Sequence, residues 1–288
     1  CLLSRGLGDV YKRQSILCYG QTGRLFTADQ ELSSSMINSI YQDHNGIIWI
    51  ATEDGLNKYD GAKFSIYKSD KNDEHSLANN YVRCVFESSK KECFVGTLSG
   101  LQHYSADADR FTDIPLILQD GIIVEPNVAA IEELSNGDLL VGTAGQGLFK
   151  ITNTHKGLVG ISMEKRIPIP IVNALHEDRN GNLWISAGEN GIFRIDRNQQ
   201  LHCYQKGANE SEYTISSICE TPDKQIYIGS LGKGLLKYNP TLDLFEPIIY
   251  ANHPELPVKS LLLATPDEIY IGTCLLYTSP SPRDKRQS

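Results

Sequence analysis

The stretch NSIYQDHNGIIWIATEDGLNKY, from Asn38 to Tyr59, decides the fold. An apolar run in it ends at Thr52 and is followed by the turn-forming sequence Glu-Asp-Gly and a further apolar segment. Short segments rich in β-branched and aromatic residues, separated by Gly, Asn and Asp, are typical of β-strands and tight turns. The stretch therefore predicts three short strands joined by two turns.

The same arrangement recurs six times along the chain. A small residue ends each apolar run, at spacings of 45, 46, 44, 43 and 43 residues. These anchor residues are Thr52, Thr97, Thr143, Ala187, Ser230 and Thr273. A large apolar side chain stands three positions before each anchor, a small residue one position before and an aliphatic residue twelve positions before. A period near 44 residues with four strands per unit predicts a β-propeller blade.

We therefore expect an all-β fold, a β-propeller of four-stranded antiparallel blades. Five blades are complete and a sixth is partial, so the ring is truncated and is either an open arc or a strained ring of six. The predicted repeats span about residues 35–75, 76–120, 121–167, 168–210, 211–256 and 257–273. The small residue before each anchor should let neighbouring sheets approach closely. The second unit lacks Asn-Gly, so its first turn is expected to have a different shape.

The two ends of the chain do not share the repeat. Residues 1–14 and 274–288 match the translation of the two strands of one sequencing adapter, so we exclude them as artefacts. Residues 15–20 have two open interpretations, the end of a signal peptide or a strand. The expected propeller region is 21–273, within which residues 24–28 are predicted to form an outermost strand that closes the ring.

Composition narrows the classes of partner. The formal net charge is −8, and it becomes more negative without the two ends, which carry six basic and two acidic residues. An acidic domain repels phosphate backbones, so no nucleic-acid partner is expected. The chain has no CxxC motif, so nothing in the cysteine spacing suggests a zinc or redox site. Cys84 and Cys93 flank one predicted turn, and we expect them to be cross-strand neighbours with free thiols.

Three motifs that resemble catalytic or binding sites are better explained as turns. His176-Glu177-Asp178 precedes an Asn-Gly turn, which predicts a solvated hairpin end. The Gly-x-Gly segments at 145–147 and 232–234 lie between strands, with no following helix to bind a phosphate. The segments that run from Asp to Trp at 43–49 and 178–184 resemble Asp-box hairpins, but the Asp-to-Gly spacing differs by one residue. No catalytic residue, metal ion or cofactor is predicted.

A candidate ligand site comes from the propeller geometry. Propellers bind ligands on the face that carries the turns between second and third strands and the connections between blades. Five of the six residues at position −14 from the anchors are polar, which suits a ring around the channel mouth, although a water-filled channel would also favour polar walls. The candidate residues are Asn38, Arg83, Asn173 and Lys259 in the ring and Glu53, Asp54, Glu189, Asn190 and Lys233 in the turns.

The stretch from Asn38 to Tyr59 resembles the two-component-regulator propeller repeat, N-x-I-x-x-D-x-x-G-x-x-W-I-x-T-x-x-G-L-x-x-Y. The resemblance covers about residues 21–273 and is most specific in the first and fourth units. It implies the periplasmic sensor region of a Bacteroides-type hybrid two-component histidine kinase. It further implies a glycan or oligosaccharide ligand, C-terminal propeller and kinase modules in the same chain, a homodimer and an inner-membrane anchor.

These observations lead to one leading hypothesis and two alternatives. The leading hypothesis is a non-catalytic, extracytoplasmic propeller that detects glycan fragments and regulates polysaccharide utilisation. One alternative is a propeller enzyme that acts on glycans, a lyase or a glycosidase. The other is a scaffold propeller that binds proteins.

Overall fold

The structure, a computed structural model, describes residues 26–28, 31–204, 214–248, 256–266 and 268–273. The predicted artefact ends and residues 15–20 lie outside the described residues. The regular structure is strand throughout this part, apart from one 3₁₀ turn at Gly188–Asn190. None of the described helical structure is long enough to cross a membrane. The predicted all-β class is therefore confirmed.

The strands form five blades and part of a sixth, as predicted. Blade one comprises β1 (Ile37–Gln42), β2 (Ile48–Thr52), β3 (Gly55–Tyr59) and β4 (Phe64–Tyr67). Blade two comprises β5 (Val82–Glu87), β6 (Cys93–Thr97), β7 (Gly100–Ser105) and β8 (Arg110–Ile114). Blade three comprises β11 (Val128–Glu133), β12 (Leu139–Thr143), β13 (Leu148–Thr154) and β14 (Gly157–Ser162), extended by β9 (Leu116–Ile117) and β10 (Ile123–Val124).

The remaining blades follow the same order. Blade four comprises β15 (Ala174–Glu177), β16 (Leu183–Ser186), β17 (Ile192–Ile195) and β18 (Leu201–Tyr204). Blade five comprises β19 (Ile215–Glu220), β20 (Ile226–Ser230), β21 (Gly234–Asn239) and β22 (Leu244–Pro247). The described part of blade six is β23 (Val258–Thr265) and β24 (Glu268–Thr273). Within each blade the strands pair antiparallel in chain order, except that β9 adds to β14 in parallel.

The first turn of blade two has the same hydrogen bonds as that of blade one, so the predicted difference in shape is wrong. In blade one the Gly46 amide donates to Asp43 O at 2.9 Å, and in blade two the Lys91 amide donates to Ser88 O at 2.8 Å. Lys91 takes the positive φ, 66°, that Gly46 takes in blade one, 82°. Asn45 itself does not have a positive φ within the turn. The turn therefore needs one left-handed residue, and a lysine supplies it here.

The small residue before each anchor lets neighbouring sheets approach closely, as predicted. A Cβ atom added to Gly142 of blade three would lie 2.4 Å from Cγ1 of Val172, which enters blade four. A Cβ atom on Gly96 would lie 2.6 Å from Val128 of the next blade in the same way. Real Cβ contacts are not this short, so glycine is required at these two positions, whereas blades one and four have Ala51 and Ser186 there.

A ladder of glutamates links successive blades on the face that carries the β1–β2 turns, which we call the hairpin face. The last residue of the innermost strand accepts a backbone amide from the first turn of the preceding blade, at distances of 2.5 to 3.1 Å. The donor and acceptor pairs are His44 and Glu87, Ser89 and Glu133, Ser135 and Glu177, and Arg179 and Glu220. These glutamates lie ten residues before the anchors, at a position that is not part of the repeat pattern described above.

Aromatic rings and one cation brace the interface between blades one and two. Lys58 Nζ lies 5.3 Å from the ring centroid of Trp49 and donates to the Tyr104 hydroxyl at 2.9 Å. The hydroxyls of Tyr67 and Tyr104 both donate to Asp109 Oδ1 at 2.6 Å. The equivalent cluster between blades four and five comprises Trp184, Arg194, Tyr204, Tyr238 and Asp243. A repeated Trp–cation–Tyr–Asp brace therefore fixes these two interfaces.

The prediction that Cys84 and Cys93 are cross-strand neighbours is wrong. Cys84 lies opposite Gly96, whereas Cys93 lies opposite Glu87. Successive strand residues point to opposite faces, so the two thiols enter different hydrophobic clusters. Both thiols are free, and burial raises the pKa of each to about 12.

The predicted closing strand at residues 24–28 lies partly outside the described residues. Of its described part, Phe26 packs its ring against Tyr59 and Phe64 of blade one, with centroid distances of 5.3 and 5.1 Å. Residues 26–28 are not in a strand. The segment therefore contacts the outer strands of blade one.

Candidate functional site

The β2–β3 turns and the connections between blades lie on one face, which we call the connection face. In each of the first three blades a turn glycine donates its amide to a carbonyl of the connection to the next blade. These bonds join Gly55 to Asn80 at 2.7 Å, Gly100 to Pro126 at 2.9 Å and Gly147 to Pro170 at 2.8 Å. The two sets of loops that the sequence assigned to ligand binding are therefore held together.

Three predicted ligand residues meet around Tyr81, which directly precedes β5. The Tyr81 hydroxyl donates to Glu53 Oε1 at 3.2 Å. Partial burial and the Glu53 carboxylate raise the pKa of Tyr81, while the nearby Arg83 and Asn38 side chains oppose that rise. Glu53, Arg83, Asn38 and Tyr81 thus form one polar group on the connection face. We call this group the mouth cluster, after the channel mouth at which the sequence predicted a ligand site.

Arg83 is the cation of the mouth cluster. Its side chain is half-buried, and no carboxylate within the described ranges forms an ion pair with it. A guanidinium presents five donors in a planar fork, which suits carboxylate and sulfate groups. The cluster therefore offers a cation, a carboxylate, a phenol and an amide to a ligand at the mouth.

Two of the polar side chains that stand fourteen residues before the anchors also form hydrogen bonds between blades. Asn38 Nδ2 donates to Val82 O at 2.7 Å, and Ser216 Oγ donates to Val258 O at 2.5 Å. Each bond joins an innermost strand to the next blade, so blade contact accounts for part of the ring's polarity. Asn173 is half-buried on blade four and Lys259 is exposed on blade six. Neither of these two contacts the mouth cluster.

The other predicted turn residues are not brought to the mouth cluster. Asp54 Oδ2 pairs with Lys68 Nζ at 2.6 Å, and its Oδ1 accepts from Asn80 Nδ2 at 3.3 Å. Because Lys68 follows the outermost strand of blade one, Asp54 faces the rim. Asn190 is exposed in the 3₁₀ turn, and the Lys233 amide donates to Ser230 Oγ at 3.1 Å. The Glu189 side chain lies outside the described parts.

A cleft of about 380 Å³ opens on the connection face of blade three. It lies between the β12–β13 turn, the connection to blade four and the loop after β9. Its lining includes Leu118, Gln146, Glu164, Pro168, Ile169 and Pro170. Most of these residues are apolar, and the Gln146 amide and the Glu164 carboxylate are the polar side chains among them. The sequence did not predict this cleft, because it depends on the β9–β10 hairpin, which among the described residues occurs in blade three alone.

His176-Glu177-Asp178 is a hairpin end, but the expectation that it is solvated is wrong. Asp178 is only 5% exposed, because its carboxylate accepts two turn amides and the Trp184 indole. His176 lies between Glu132 of blade three and Glu220 of blade five, 3.6 Å from each. No group of three or more His, Cys, Asp or Glu side chains among the described residues has a geometry that could hold a metal ion.

Comparison with known proteins shows which family of repeats the blades resemble. Residues 31–54 and 167–189 match the sequence profile of a family described as two-component regulator propeller. These two segments are two-component regulator propeller repeats. The matched segments belong to blades one and four, which keep both the Asn-Gly turn and the tryptophan. The predicted family and the two most specific units are confirmed.

Relatives of known sequence or structure agree with this family. Histidine kinase P4 of Formosa agariphila is 43% identical over 53 residues, which are 18% of this chain and 4% of the kinase. The extracellular domains of two putative hybrid two-component systems from B. thetaiotaomicron superpose with TM-scores of 0.72, at 22% and 17% identity. The alignments cover 87% and 88% of this chain but 34% and 36% of those domains. This chain therefore spans about a third of their length.

The same fold also occurs in an enzyme. Virginiamycin B lyase from Staphylococcus aureus superposes with a TM-score of 0.61 at 13% identity, over 88% of both chains. At such identity the likeness concerns the fold alone.

Proposed function

We propose that this chain is the extracytoplasmic ligand-sensing propeller of a hybrid two-component regulator, and that its ligand is a glycan fragment whose detection regulates polysaccharide use. The family of the repeats supports the signalling class. The mouth cluster carries the ligand assignment. In the whole protein, further propeller and kinase modules, an inner-membrane anchor and a homodimer belong to the same proposal.

The chemistry of the mouth cluster suits an oligosaccharide. Sugar hydroxyls both donate and accept hydrogen bonds, and Glu53, Tyr81 and Asn38 offer acceptors and donors within one group. Arg83 adds a cation that would bind a uronic-acid carboxylate or a sulfate group. We therefore expect acidic oligosaccharides to bind more tightly than neutral ones of equal length.

Sensing requires two arrangements of the protein. A ligand changes an equilibrium only if it binds one arrangement more tightly than the other. The mouth cluster joins blade one to blade two through Glu53 and Tyr81, so a ligand that contacts both would favour one relative position of these blades. The membrane-crossing part of the whole protein would transmit that change.

Calorimetric titration with oligosaccharides tests the proposal. The panel contains neutral, uronic-acid and sulfated oligosaccharides, titrated into the chain and into its Arg83→Ala variant. We expect binding of acidic members, weakened at least tenfold in Arg83→Ala, about 1.4 kcal/mol. Arg110→Ala removes the same charge from an outer strand and should bind as the unchanged chain does. Absence of binding across the panel would contradict the glycan assignment.

A separate assay tests the alternative that the protein is an enzyme that acts on glycans. The same oligosaccharides, incubated with the chain, would give shortened or unsaturated products if the propeller were a glycosidase or a lyase. Product formation at enzymatic rates would overturn the sensor assignment. We expect the oligosaccharides to be recovered intact.

A further inference from the structure

The fold repeats the position of the mouth cluster at successive blade interfaces, but the residues differ. Backbone bonds fix the equivalence, because the amide after the anchor donates to the carbonyl sixteen positions before that anchor in blade two and again in blade three. The positions of Glu53, Tyr81 and Arg83 are taken at the next interface by Leu98, Asn127 and Ala129, and at the one after it by Ala144, Ile171 and Asn173. Neither set combines a carboxylate, a phenol and a cation, so the propeller fold alone does not account for the mouth cluster.

The connection from β4 to β5 leads to Tyr81 and is held by blade two. Leu77 is 1% exposed and packs between blades one and two. The buried Gln102 side chain of β7 accepts the Ala78 amide at 2.9 Å and donates to the Ser76 carbonyl at 3.1 Å. The segment just before Tyr81 therefore has a fixed path.

Two consecutive asparagines complete this connection, and the first of them bonds to blade two. Asn79 Oδ1 accepts the Tyr81 amide at 2.8 Å. Asn79 Nδ2 donates to Ser99 Oγ in the β6–β7 turn at 3.0 Å. The bond to the amide two residues on is an Asx turn, which sets the direction of the backbone at Tyr81. Asn79 therefore ties the orientation of Tyr81 to blade two.

The second asparagine, Asn80, bonds to blade one. Its Oδ1 accepts the Ser69 amide at 2.7 Å, its Nδ2 donates to Asp54 Oδ1 at 3.3 Å, and its carbonyl accepts the Gly55 amide at 2.7 Å. Asp54 and Gly55 belong to the β2–β3 turn that also carries Glu53. Proline stands at this position in the next two connections, at 126 and 170, and has no side-chain group for such bonds.

We propose that Asn79 and Asn80, which we call the asparagine pair, are positioning residues of the mouth cluster. The pair bonds to turns of both blades and so holds Tyr81 against Glu53, at a fixed spacing from Arg83. Groups that are already in place lose less conformational freedom when a ligand binds, so this arrangement raises affinity. The inference rests on the proposed function, in which the mouth cluster binds an acidic oligosaccharide.

Calorimetric titration of asparagine variants tests the proposal. Asn79→Ala leaves the Tyr81 amide without its side-chain acceptor, and we expect acidic oligosaccharides to bind about fivefold more weakly. Asn72→Ala is the matched control and should bind as the unchanged chain does, because Asn72 is exposed in the same connection and donates to Asp70 within that loop. Ser99→Ala removes the outer bond of Asn79 alone, and this milder variant should weaken binding in the same direction.

A second substitution shows whether Asn79 acts through Tyr81. Tyr81→Phe removes the phenol hydroxyl and keeps the ring and the backbone amide. Asn79→Ala should therefore weaken binding less in the Tyr81→Phe chain than in the unchanged chain. Without any ligand, hydrogen–deuterium exchange at the Tyr81 amide should be faster in Asn79→Ala than in the unchanged chain.

The outcomes separate this inference from the proposed function. If the unchanged chain binds acidic oligosaccharides and Asn79→Ala binds them equally well, the positioning role is wrong while the ligand site stands. Equal weakening by Asn72→Ala, additive effects of Asn79→Ala and Tyr81→Phe, or unchanged exchange at the Tyr81 amide would overturn it in the same way. If the unchanged chain binds no member of the panel, the proposed function fails, and this inference fails with it.

Discussion

At the scale of single residues, Asp43 and Asp178 explain why this repeat contains a tryptophan. In blade one, Asp43 Oδ1 accepts the amides of Asn45 and Ile47, and its Oδ2 accepts the Trp49 indole at 3.0 Å. Asp178 makes the equivalent bonds in blade four, with the indole of Trp184 at 2.8 Å. The sequence indicated the turn at this place, but the indole bond depends on how the hairpin folds over the ring.

Removing this carboxylate should destabilise the protein. Asp178→Ala leaves two turn amides and a buried indole N–H without their acceptor, so we expect a loss of about 1–3 kcal/mol in the free energy of unfolding. Urea unfolding measures it. Asp107→Ala, at an exposed turn position, should change the free energy by less than about 0.5 kcal/mol. Equal effects of the two substitutions would contradict the role given to Asp178.

His176 should make stability depend on pH. Burial lowers the pKa of His176, but the Glu132 and Glu220 carboxylates outweigh it, so its pKa lies above the ordinary value of 6.5. Glu177 is adjacent on the same strand, and the Arg179 guanidinium is 3.9 Å from Glu220. A histidine whose pKa is higher in the folded state stabilises the fold fully at a pH below its unfolded-state pKa. This contribution to stability is lost as the pH rises through its folded-state pKa.

The difference in Tm between the unchanged chain and His176→Gln isolates this contribution. We expect the difference to favour the unchanged chain at pH 5.5 and to shrink by pH 8.5. The comparison removes the effect of the other histidines, including His103, whose pKa burial lowers. A difference that is constant with pH, or that grows as pH rises, would contradict the assignment.

At the scale of elements, the strands and their order followed from the repeat, but two features did not. The shape of the blade-two turn was missed because a tight turn needs a left-handed φ at one position, and Lys91 adopts it without the expected glycine. The β9–β10 hairpin was missed because it lies in a connection between blades, where the sequence does not follow the repeat. The close approach of sheets was predicted correctly, since a column of small residues has a direct steric meaning.

Substitution in that column should strain the interface between blades three and four. Gly142→Ala places a methyl group 2.4 Å from Val172 Cγ1, so we expect a loss of about 1–3 kcal/mol in the free energy of unfolding. Val172→Ala in the same chain makes room for that methyl group. The double variant should therefore be more stable than the sum of the single effects predicts, by more than about 0.5 kcal/mol. Additive effects would show that the two residues do not meet.

At the scale of the whole molecule, the face that carries the β2–β3 turns and the connections between blades followed from the propeller geometry, while the grouping of side chains on that face followed only in part. Asn38, Glu53 and Arg83 were expected there and lie in the mouth cluster. Tyr81 was missed because it stands in a connection between blades, and connections do not keep the repeat. Asp54 lies apart from the mouth cluster, because its carboxylate turns to Lys68 at the rim, which sequence position does not reveal.

Hydrogen–deuterium exchange in the presence of the oligosaccharide panel tests the central claim, that the connection face around the mouth cluster is where a ligand binds. The account predicts slower exchange of the amides at 52–55 and 78–84 when acidic oligosaccharides are added. It predicts unchanged exchange in the β1–β2 turns at 43–47 and 178–182, on the opposite face. Protection confined to those turns of the hairpin face, or no protection at any concentration of oligosaccharide, would contradict the account.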